Sequence, residues 1–462
     1  MATLTRKIIE GTVATSLGNI LLKFTAFVSF IIITSQLSLQ DYGILNLFFT
    51  VAGPAAAFSM ISLERVVVAD AASYRGLGKY GYARKLISDY FKITLVLLTS
   101  LLIISWFLKV LLTSYFSLNI SAYFWPLAFF VIGQISMNFI SVIFEAYERF
   151  KSSALFQFGE AFIRFVVVLS LFHFGFTLLS VFMAYIISKI LVVVLSVPFA
   201  MRAINNDSEM RFSREPDVPK KNLVWDIIKK HGKWEMVRDF PSKITGIAAP
   251  WLLRITISNE AVGLFSFAQK IYSFISSAFP LTSIIFPIIS RSISENVEKT
   301  KLIIVKAQKY LLYLYLPMYI AAYVMIGPII KTFIPHYIAA VLLIKIVLFD
   351  LFIDAFSVGQ SAVLYGLKQQ KLSLLINMIM QVIILASQIV LITSLGVVGA
   401  SISVLVTGFS SYLLRRYILE KKLNFSPASG WRVFFTYDEY DKLIVDKIKN
   451  NLFRYACPWK KT

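Results

Sequence analysis

The stretch LSLQDYGIL at residues 37–45 decides the fold, because a related stretch, ISNEAVGLF, occupies residues 257–265. Their second residues are both serine, their seventh residues are both glycine, and each matching pair is 220 residues apart. Two further matches lie at nearly the same offset: Lys151 with Lys371, and Gly175 with Gly396. The spacing predicts a chain built from two similar halves.

Hydrophobic stretches surround both repeats and have the length of a helix that crosses a bilayer, which is roughly 17–25 residues. The chain is 58% hydrophobic, which excludes an ordinary soluble domain of this size. The sequence therefore predicts an all-α polytopic membrane protein. The stretches run approximately over 15–36, 44–63, 93–112, 123–143, 155–174, 177–201, 239–257, 263–290, 310–330, 338–362, 372–393 and 396–414.

About twelve membrane helices divide into two pseudo-symmetric lobes of six. Because six is even, both halves start on the same side of the membrane, and an axis along the membrane normal relates them. The predicted organisation is an N-terminal lobe at 1–201, a cytoplasmic linker at 202–238, a C-terminal lobe at 239–419 and a basic cytoplasmic tail at 420–462. We expect the linker to be a flexible connection that is partly amphipathic near Trp225.

The basic residues indicate the orientation. Of the 46 lysines and arginines, 37 lie in the N-terminus, in every second gap between hydrophobic stretches and in the tail. Positive charge is retained on the cytoplasmic side of a membrane, so both termini are predicted to be cytoplasmic and the protein to reside in the cell membrane. The net charge of +21 is spread over these loops. It therefore indicates topology and contact with anionic lipid rather than nucleic-acid binding.

No catalytic or metal-binding constellation is visible in the sequence. The three histidines are far apart, and the single cysteine, Cys457, forms no cluster. The predicted outer loops are too short to build a catalytic site. We therefore predict that the chain is not an enzyme and has neither a cofactor nor a metal-binding cluster of cysteines and histidines.

Polar residues follow helical spacing within several predicted membrane helices. A polar face that points to hydrocarbon is costly, so such faces converge on one another or on water. Hydrogen bonding between helices and a hydrated cavity are both consistent with this pattern. The members on the first, fourth, fifth, eighth and eleventh helices include Thr15, Asn19, Lys23, Gln134, Asn138, Ser141, Glu145, Gln157, Glu160, Arg164, Ser266, Lys270, Ser273, Ser277, Ser373, Asn377, Gln381 and Gln388.

Charged residues within the helices predict the chemistry of such a cavity. Lys23, Arg254 and Lys270 come from both halves and would line a cationic cavity suited to a phosphate or a carboxylate. We assign Asn19, Asn138 and Gln381 to the same substrate site. Glu160 and Arg164, four residues apart, are expected to pair with each other, and Lys189 to extend its ammonium towards the cytoplasm.

Asp350 and Asp354 are the candidates for ion coupling. Two carboxylates one helical turn apart in a low dielectric repel each other, which favours protonation of one or binding of a cation. Pairing with Lys345 or with a basic residue of a neighbouring helix is the alternative. Coupling to a proton or to sodium is thus open.

Several short motifs are distributed along almost the whole chain, over about residues 6–420. They are Arg6-Lys7, Gly11, Thr15, Gly18, Asn19, Leu37-Ser38, Asp41-Tyr42-Gly43, Glu260-Ala261-Val262-Gly263, Ala268, Lys270-Ile271 and Leu395-Gly396-Val397-Val398-Gly399-Ala400. Together they resemble the motifs of the polysaccharide transporter family, which includes the O-antigen flippases and belongs to the multidrug, oligosaccharidyl-lipid and polysaccharide exporter superfamily.

The resemblance implies a flippase that alternates between inward- and outward-open states. Its substrate would be a polyprenyl-diphosphate-linked oligosaccharide, such as an O-antigen or capsule unit, moved from the cytoplasmic to the outer leaflet. Polysaccharide assembly enzymes are the implied protein partners. Two alternatives are a cation-coupled small-molecule or multidrug exporter of the same superfamily and an integral-membrane glycosyltransferase or polymerase.

Overall fold

A computed structural model describes residues 21–425 of the chain, except 61, 117–119, 206–221, 230–232, 278–288, 290–291, 294–295 and 368. The elements of these residues are helices. In chain order they are α1 (Leu21–Gln36), α2 (Leu39–Ser59), α3 (Glu64–Gly76), α4 (Tyr80–Phe116), α5 (Ile120–Ala146), α6 (Phe150–Phe174), α7 (Leu178–Asn205), α8 (Leu223–Ile227), α9 (Lys233–Thr256), α10 (Asn259–Ser276), α11 (Val297–Phe333), α12 (Ala340–Leu348), α13 (Asp350–Ser357), α14 (Gln360–Gly366) and α15 (Gln370–Leu423).

The described helices cover most of the predicted hydrophobic stretches, and the chain is a multi-pass membrane protein. Residues 15–20 of the first predicted stretch and most of 278–290 in the eighth lie outside the described residues. Seven of the described helices are long and apolar enough to cross a bilayer by themselves. The predicted tenth stretch is divided into three short helices, α12, α13 and α14. The predicted eleventh and twelfth stretches join in α15, which is interrupted at Gly396 by a positive φ of 62°. Glycine has no Cβ, so it adopts this conformation readily.

The serines of the two sequence repeats have the same structural role. Ser38 Oγ accepts a hydrogen bond from the Asp41 main-chain N–H at 3.1 Å and caps α2. Ser258 Oγ accepts one from the Ala261 N–H at 3.2 Å and caps α10. Each such cap contributes roughly 1 kcal/mol to helix stability. The repeat therefore extends from sequence to local structure.

The glycines of the two repeats let α2 and α10 cross at close range. A Cβ on Gly43 would overlap the main-chain carbonyl oxygen of Asn259, and a Cβ on Gly263 would overlap that of Leu39. Any larger residue would therefore force the two backbones apart. We call this contact the glycine crossing.

Apolar side chains of four helices pack beside the glycine crossing. The buried cluster consists of Leu47 from α2, Ala249 and Leu253 from α9, Ala261, Val262 and Phe265 from α10, and Ile392 and Ala400 from α15. Trp251 Nε1 donates a hydrogen bond to Thr50 Oγ1 at 3.0 Å at its edge. These contacts attach α9 to α2.

The described residues fall into two compact units that differ from the predicted halves. The first contains the described residues of Met1–Phe279, Tyr319–Asp350 and Leu374–Ser410, and the second those of Pro280–Met318, Leu351–Ser373 and Ser411–Thr462. The boundaries predicted at 201, 238 and 419 stay a prediction. The predicted basic helix of the tail lies outside the described residues.

Part of the linker is anchored to α4. Asp89 Oδ2 accepts a hydrogen bond from the Leu223 N–H at 3.0 Å, and both residues are buried. Leu223, Val224 and Ile227 of α8 are buried, whereas Trp225 is exposed. This confirms the predicted amphipathic character near Trp225, although the segment is docked rather than free.

Candidate functional site

A polar cavity of about 710 Å³ opens within the first unit. Helices α2, α3, α5 and α9 supply its walls. Its volume lies within the range of roughly 300–1,000 Å³ that small-molecule sites occupy. Its lining residues are Phe49, Ala52, Gly53, Ala56, Ala57, Ser62, Glu64, Arg65, Phe130, Gln134, Asn138, Ser141, Val142, Glu145, Asp239 and Lys243.

The polar face of α5 forms one wall. Gln134, Asn138, Ser141 and Glu145 recur at helical spacing, and all four line the cavity. Gln134 Nε2 donates a hydrogen bond to Asn138 Oδ1 at 2.9 Å. Of the two interpretations that the sequence left open for such faces, hydrogen bonding between helices and a cavity, the α5 face fits the cavity.

Small residues of α2 form another wall of the cavity. Their short side chains keep the cavity wide. Ala52, Gly53, Ala56 and Ala57 lie on either side of Pro54. Because none has a side chain beyond Cβ, the space in front of them stays open.

The two ends of the cavity differ chemically. Phe49 and Phe130 stack at a ring-centroid distance of 5.1 Å and form an aromatic end. Phe130 and Glu145 are fifteen positions apart on α5, which at 1.5 Å per residue separates them by roughly 22 Å. The charged end therefore lies at the far side from the rings, and it consists of Glu64, Arg65, Glu145, Asp239 and Lys243.

Of the residues that the structure describes, three carboxylates and two cations line the charged end. Burial raises the pKa of the Glu64 carboxyl, and Asp239 adds to that rise. A backbone hydrogen bond and the cations Lys243 and Arg65 act in the opposite direction. Glu64 therefore takes up a proton at a higher pH than an ordinary glutamate.

A buried ionic network adjoins the cavity through Gln134. Arg164 Nη1 lies 2.7 Å from Glu160 Oε1, which confirms the predicted pair. Lys189 Nζ lies 3.9 Å from the same carboxylate oxygen and donates a hydrogen bond to Gln134 Oε1 at 2.9 Å. Ser188 Oγ also donates to Glu160 at 3.3 Å. Lys189 is therefore buried in this network, and the expectation that it extends towards the cytoplasm was wrong.

Aromatic rings complete the network. Arg164 lies 4.9 Å from the centroid of the Tyr185 ring, and Lys189 lies 5.2 Å from that of Phe130. Among the described residues of the network, the two cations outnumber Glu160. We call Glu160, Arg164 and Lys189 the cationic cluster.

The structure places the predicted substrate residues in different surroundings. Asn138 lines the cavity, whereas Asn19 lies outside the described residues. Lys23 Nζ donates to the Ser277 carbonyl oxygen, and Lys270 Nζ lies 5.5 Å from the Phe274 ring centroid, so both are near the C-terminal half of α10. Gln381 Oε1 accepts from Thr245 Oγ1. Arg254 is half-buried in the last turn of α9.

The predicted coupling residues both lie on α13. Asp350 is buried, and its Oδ2 accepts a hydrogen bond from Tyr272 Oη at 2.9 Å. Asp354 is exposed. Lys345, the suggested partner, lies instead 4.0 Å from the centroid of the Tyr323 ring.

Sequence reasoning did not assign the charged end of the cavity to the substrate site. A signal was present, since Glu64 and Arg65 directly follow the second hydrophobic stretch and Asp239 begins the seventh. These positions share one predicted side of the membrane. The sequence does not show that these residues lie close together, because their proximity depends on how α3 and α9 pack against α5.

Residues 8–293 match the model of a family described as polysaccharide biosynthesis protein. The chain belongs to this family. No curated protein sequence matches it.

Solved structures with the same fold are membrane transporters and a flippase. An inward-facing multidrug resistance MATE family transporter of the MOP superfamily has a TM-score of 0.72 and 14% identity, over 87% of this chain and 94% of that chain. The lipid II flippase MurJ in an inward closed conformation has a TM-score of 0.67 and 12% identity, over 98% and 94%. A MOP superfamily transporter from Pyrococcus furiosus, whose binding pocket is described as having reverse polarity, has a TM-score of 0.55 and 13% identity, over 91% and 94%. The predicted all-α fold is confirmed.

Proposed function

We propose that the chain is a flippase that moves a polyprenyl-diphosphate-linked oligosaccharide from the cytoplasmic to the outer leaflet of the cell membrane. The family match to polysaccharide biosynthesis proteins and the fold shared with a lipid II flippase support this. The proposed substrate has three parts: an apolar lipid, a strongly anionic diphosphate and a hydroxyl-rich sugar.

The observation that carries the proposal is the cationic cluster beside a cavity large enough for sugar. Charges within the membrane are costly, and their presence there typically marks a substrate or ion pathway. Arg164 and Lys189 against Glu160 leave an excess of positive charge that suits a diphosphate. Gln134 links this charge to the polar face of α5.

The topology gives the proposed direction. The residues of the charged end lie at the ends of hydrophobic stretches, next to loops that are rich in Lys and Arg. We therefore propose, from the positive-inside rule, that the charged end faces the cytoplasm. The glycine crossing lies at the other end of α2 and closes the space between α2 and α10. Alternating access would open this crossing and close the charged end.

Transfer between leaflets is the direct test. The purified chain is reconstituted into vesicles that contain a fluorescent polyprenyl-diphosphate oligosaccharide, and an impermeant quencher reports the label in each leaflet. We expect protein-dependent transfer. Absence of transfer for a panel of such lipids, by protein that remains folded, would overturn the proposal.

Substitutions test the predicted cations. We expect Lys23→Ala and Arg254→Ala each to slow transfer with little loss of expression, because each removes a positive charge proposed to face the diphosphate. Lys301, which pairs with the exposed Glu298 at 2.7 Å on α11, provides the control Lys301→Ala. Normal transfer by both variants would remove Lys23 and Arg254 from the site.

Ion coupling is a separate part of the proposal. We propose Asp350 and Asp354 as carriers of a coupling proton or sodium ion. The double variant Asp350→Asn, Asp354→Asn is expected to lose the dependence of transfer on an imposed ion gradient. Unchanged dependence would exclude both residues.

The second candidate function is export of a small cationic compound. Glu64, Glu145 and Asp239 favour it, because three carboxylates at a cavity attract cations, and the MATE family transporter has the same fold. Cells that produce the protein would then survive cationic dyes better than cells without it. Protection from dyes together with failure to move lipid-diphosphate sugars would establish this alternative.

A further inference from the structure

The charged end of the cavity bears on which sugars the protein accepts. It is built by three separate elements, since Glu64 and Arg65 begin α3, Glu145 ends α5, and Asp239 and Lys243 lie on α9. Among the described lining residues, the carboxylates of the charged end outnumber its cations by one. Its balance of charge is thus opposite to that of the cationic cluster, in which Arg164 and Lys189 outnumber Glu160.

The wall between these two regions is suited to hydroxyl groups. Gln134, Asn138 and Ser141 present amide and hydroxyl groups to the cavity, and these donate and accept hydrogen bonds. The Phe49 and Phe130 rings offer apolar surface at the aromatic end. Amide and hydroxyl groups beside aromatic surface match a sugar, which has hydroxyls at its rim and C–H groups on its ring faces.

We propose that this cavity binds the sugar portion of the substrate, and that its carboxylates select neutral or amino-bearing sugars over sugars that carry a carboxylate. The inference rests on the proposed function. A sugar carboxylate at the charged end would meet like charges on the exposed Glu145 and the half-buried Asp239, and like charges repel. An amino sugar would instead gain attraction from the same residues.

The test uses two lipid diphosphates that differ at one position. One carries a neutral hexose, and the other carries the matching uronic acid, in which a carboxylate replaces the hydroxymethyl group. Both are placed in vesicles with the full-length protein, and the rates of transfer are compared. We expect the neutral substrate to move about tenfold faster, the effect of one unfavourable charge pair of about 1.4 kcal/mol.

Charge-removing variants locate the selectivity. Glu145→Gln and Asp239→Asn keep side-chain size and remove one negative charge each, so each is expected to bring the ratio of the two rates towards one. Glu298→Gln removes a carboxylate that is 80% exposed on α11, and we expect it to leave the ratio unchanged. Two independent variants guard against misfolding of either one.

The outcomes separate the two proposals. Transfer of both substrates at equal rates by the natural chain, or an unchanged ratio in both cavity variants, would overturn the sugar selectivity and leave the flippase function intact. Faster transfer of the uronic acid substrate would overturn the selectivity in the same way. Transfer of neither substrate by folded protein would overturn the function and the selectivity with it.

Discussion

The two ends of α2 have different surroundings: one end packs closely against another helix, and the other end borders an open cavity. Near its start, Gly43 brings its backbone against α10, where Gly263 does the same in return. Near its end, Ala52, Gly53, Ala56 and Ala57 face a cavity of about 710 Å³. Small residues occur at both ends, so residue size alone does not distinguish them. What differs is the neighbour: a second glycine-bearing helix at one end and a polar helix at the other.

The largest expected effect is a loss of stability when the glycine crossing is disrupted. Gly43→Ala would place a methyl group on the Asn259 carbonyl, and backbone cannot move aside as a side chain can. We expect a loss of about 3 kcal/mol or more in stability, at the upper end of what overpacking costs. Thermal unfolding in detergent measures it.

Gly246→Ala is the control for that substitution. A methyl group added to Gly246 on α9 would meet no heavy atom of the described residues within 4 Å beyond its own helix backbone, so the same change should leave stability equal or raise it by up to about 1 kcal/mol. Equal stability of the Gly43→Ala and Gly246→Ala variants would mean that the crossing is not tight.

The second largest expected effect is a loss of stability when the buried ionic network beside the cavity is disrupted. Among the described residues, Arg164→Leu would leave the buried Glu160 with Lys189 as its remaining cation, at 3.9 Å. Breaking a buried pair in this way costs about 3 kcal/mol. Loss of the surface pair in Glu298→Gln should cost less than about 1 kcal/mol. Denaturation of both variants under the same conditions would compare them, and similar losses would contradict the buried network.

The third effect is on transport at the open end. Asn138→Ala removes an amide that lines the cavity and accepts a hydrogen bond from Gln134. We expect transfer of a neutral substrate to fall about tenfold, corresponding to about 1.4 kcal/mol of lost binding. Thr99→Ala on α4, where the exposed Thr99 bonds to Leu95 of its own helix, should transfer normally. Equal rates in both variants would place the substrate elsewhere.

The smallest effect is a change with pH. Because burial raises the pKa of Glu64, this residue loses its negative charge at a higher pH than an ordinary glutamate as pH falls. Selectivity against acidic sugars should therefore weaken a few-fold as pH falls, and it should do so at a higher pH than the titration of an ordinary glutamate would give. Lys243 and Asp239 of α9, Arg65 of α3 and Glu145 of α5 share the site and modulate this titration.

Glu64→Gln provides the control for the pH effect. This variant lacks the titrating carboxyl, so its selectivity should vary less with pH than that of the natural chain. Transfer rates of the neutral and uronic acid substrates across a pH series measure both proteins. The same pH dependence in the two proteins would assign the titration to another group.

The sequence predicted the features that depend on local pattern. Ser38 and Ser258 were matched by spacing alone and prove to cap α2 and α10 alike. The polar face of α5 was recognised by its helical period and lines the cavity. In both cases the property belongs to one helix, so neighbouring residues contain the information.

Features that depend on packing between helices were missed. Lys189 was expected to reach the cytoplasm, yet α5 and α6 surround it with Gln134 and Glu160. The tenth hydrophobic stretch has the pattern of one helix but is divided into α12, α13 and α14. The charged end of the cavity joins residues almost 180 positions apart along the chain, and periodicity within one helix does not report such proximity.

The reciprocity of the glycine crossing has an evolutionary consequence. Gly43 approaches Asn259, Gly263 approaches Leu39, and each of these residues is the counterpart of another after the 220-residue shift. Residue i meets residue j while j meets i, which is the signature of a self-complementary dimer interface. A half-length ancestor could have paired with an identical copy through this very seam, and gene duplication would then have tied the two copies into a single polypeptide.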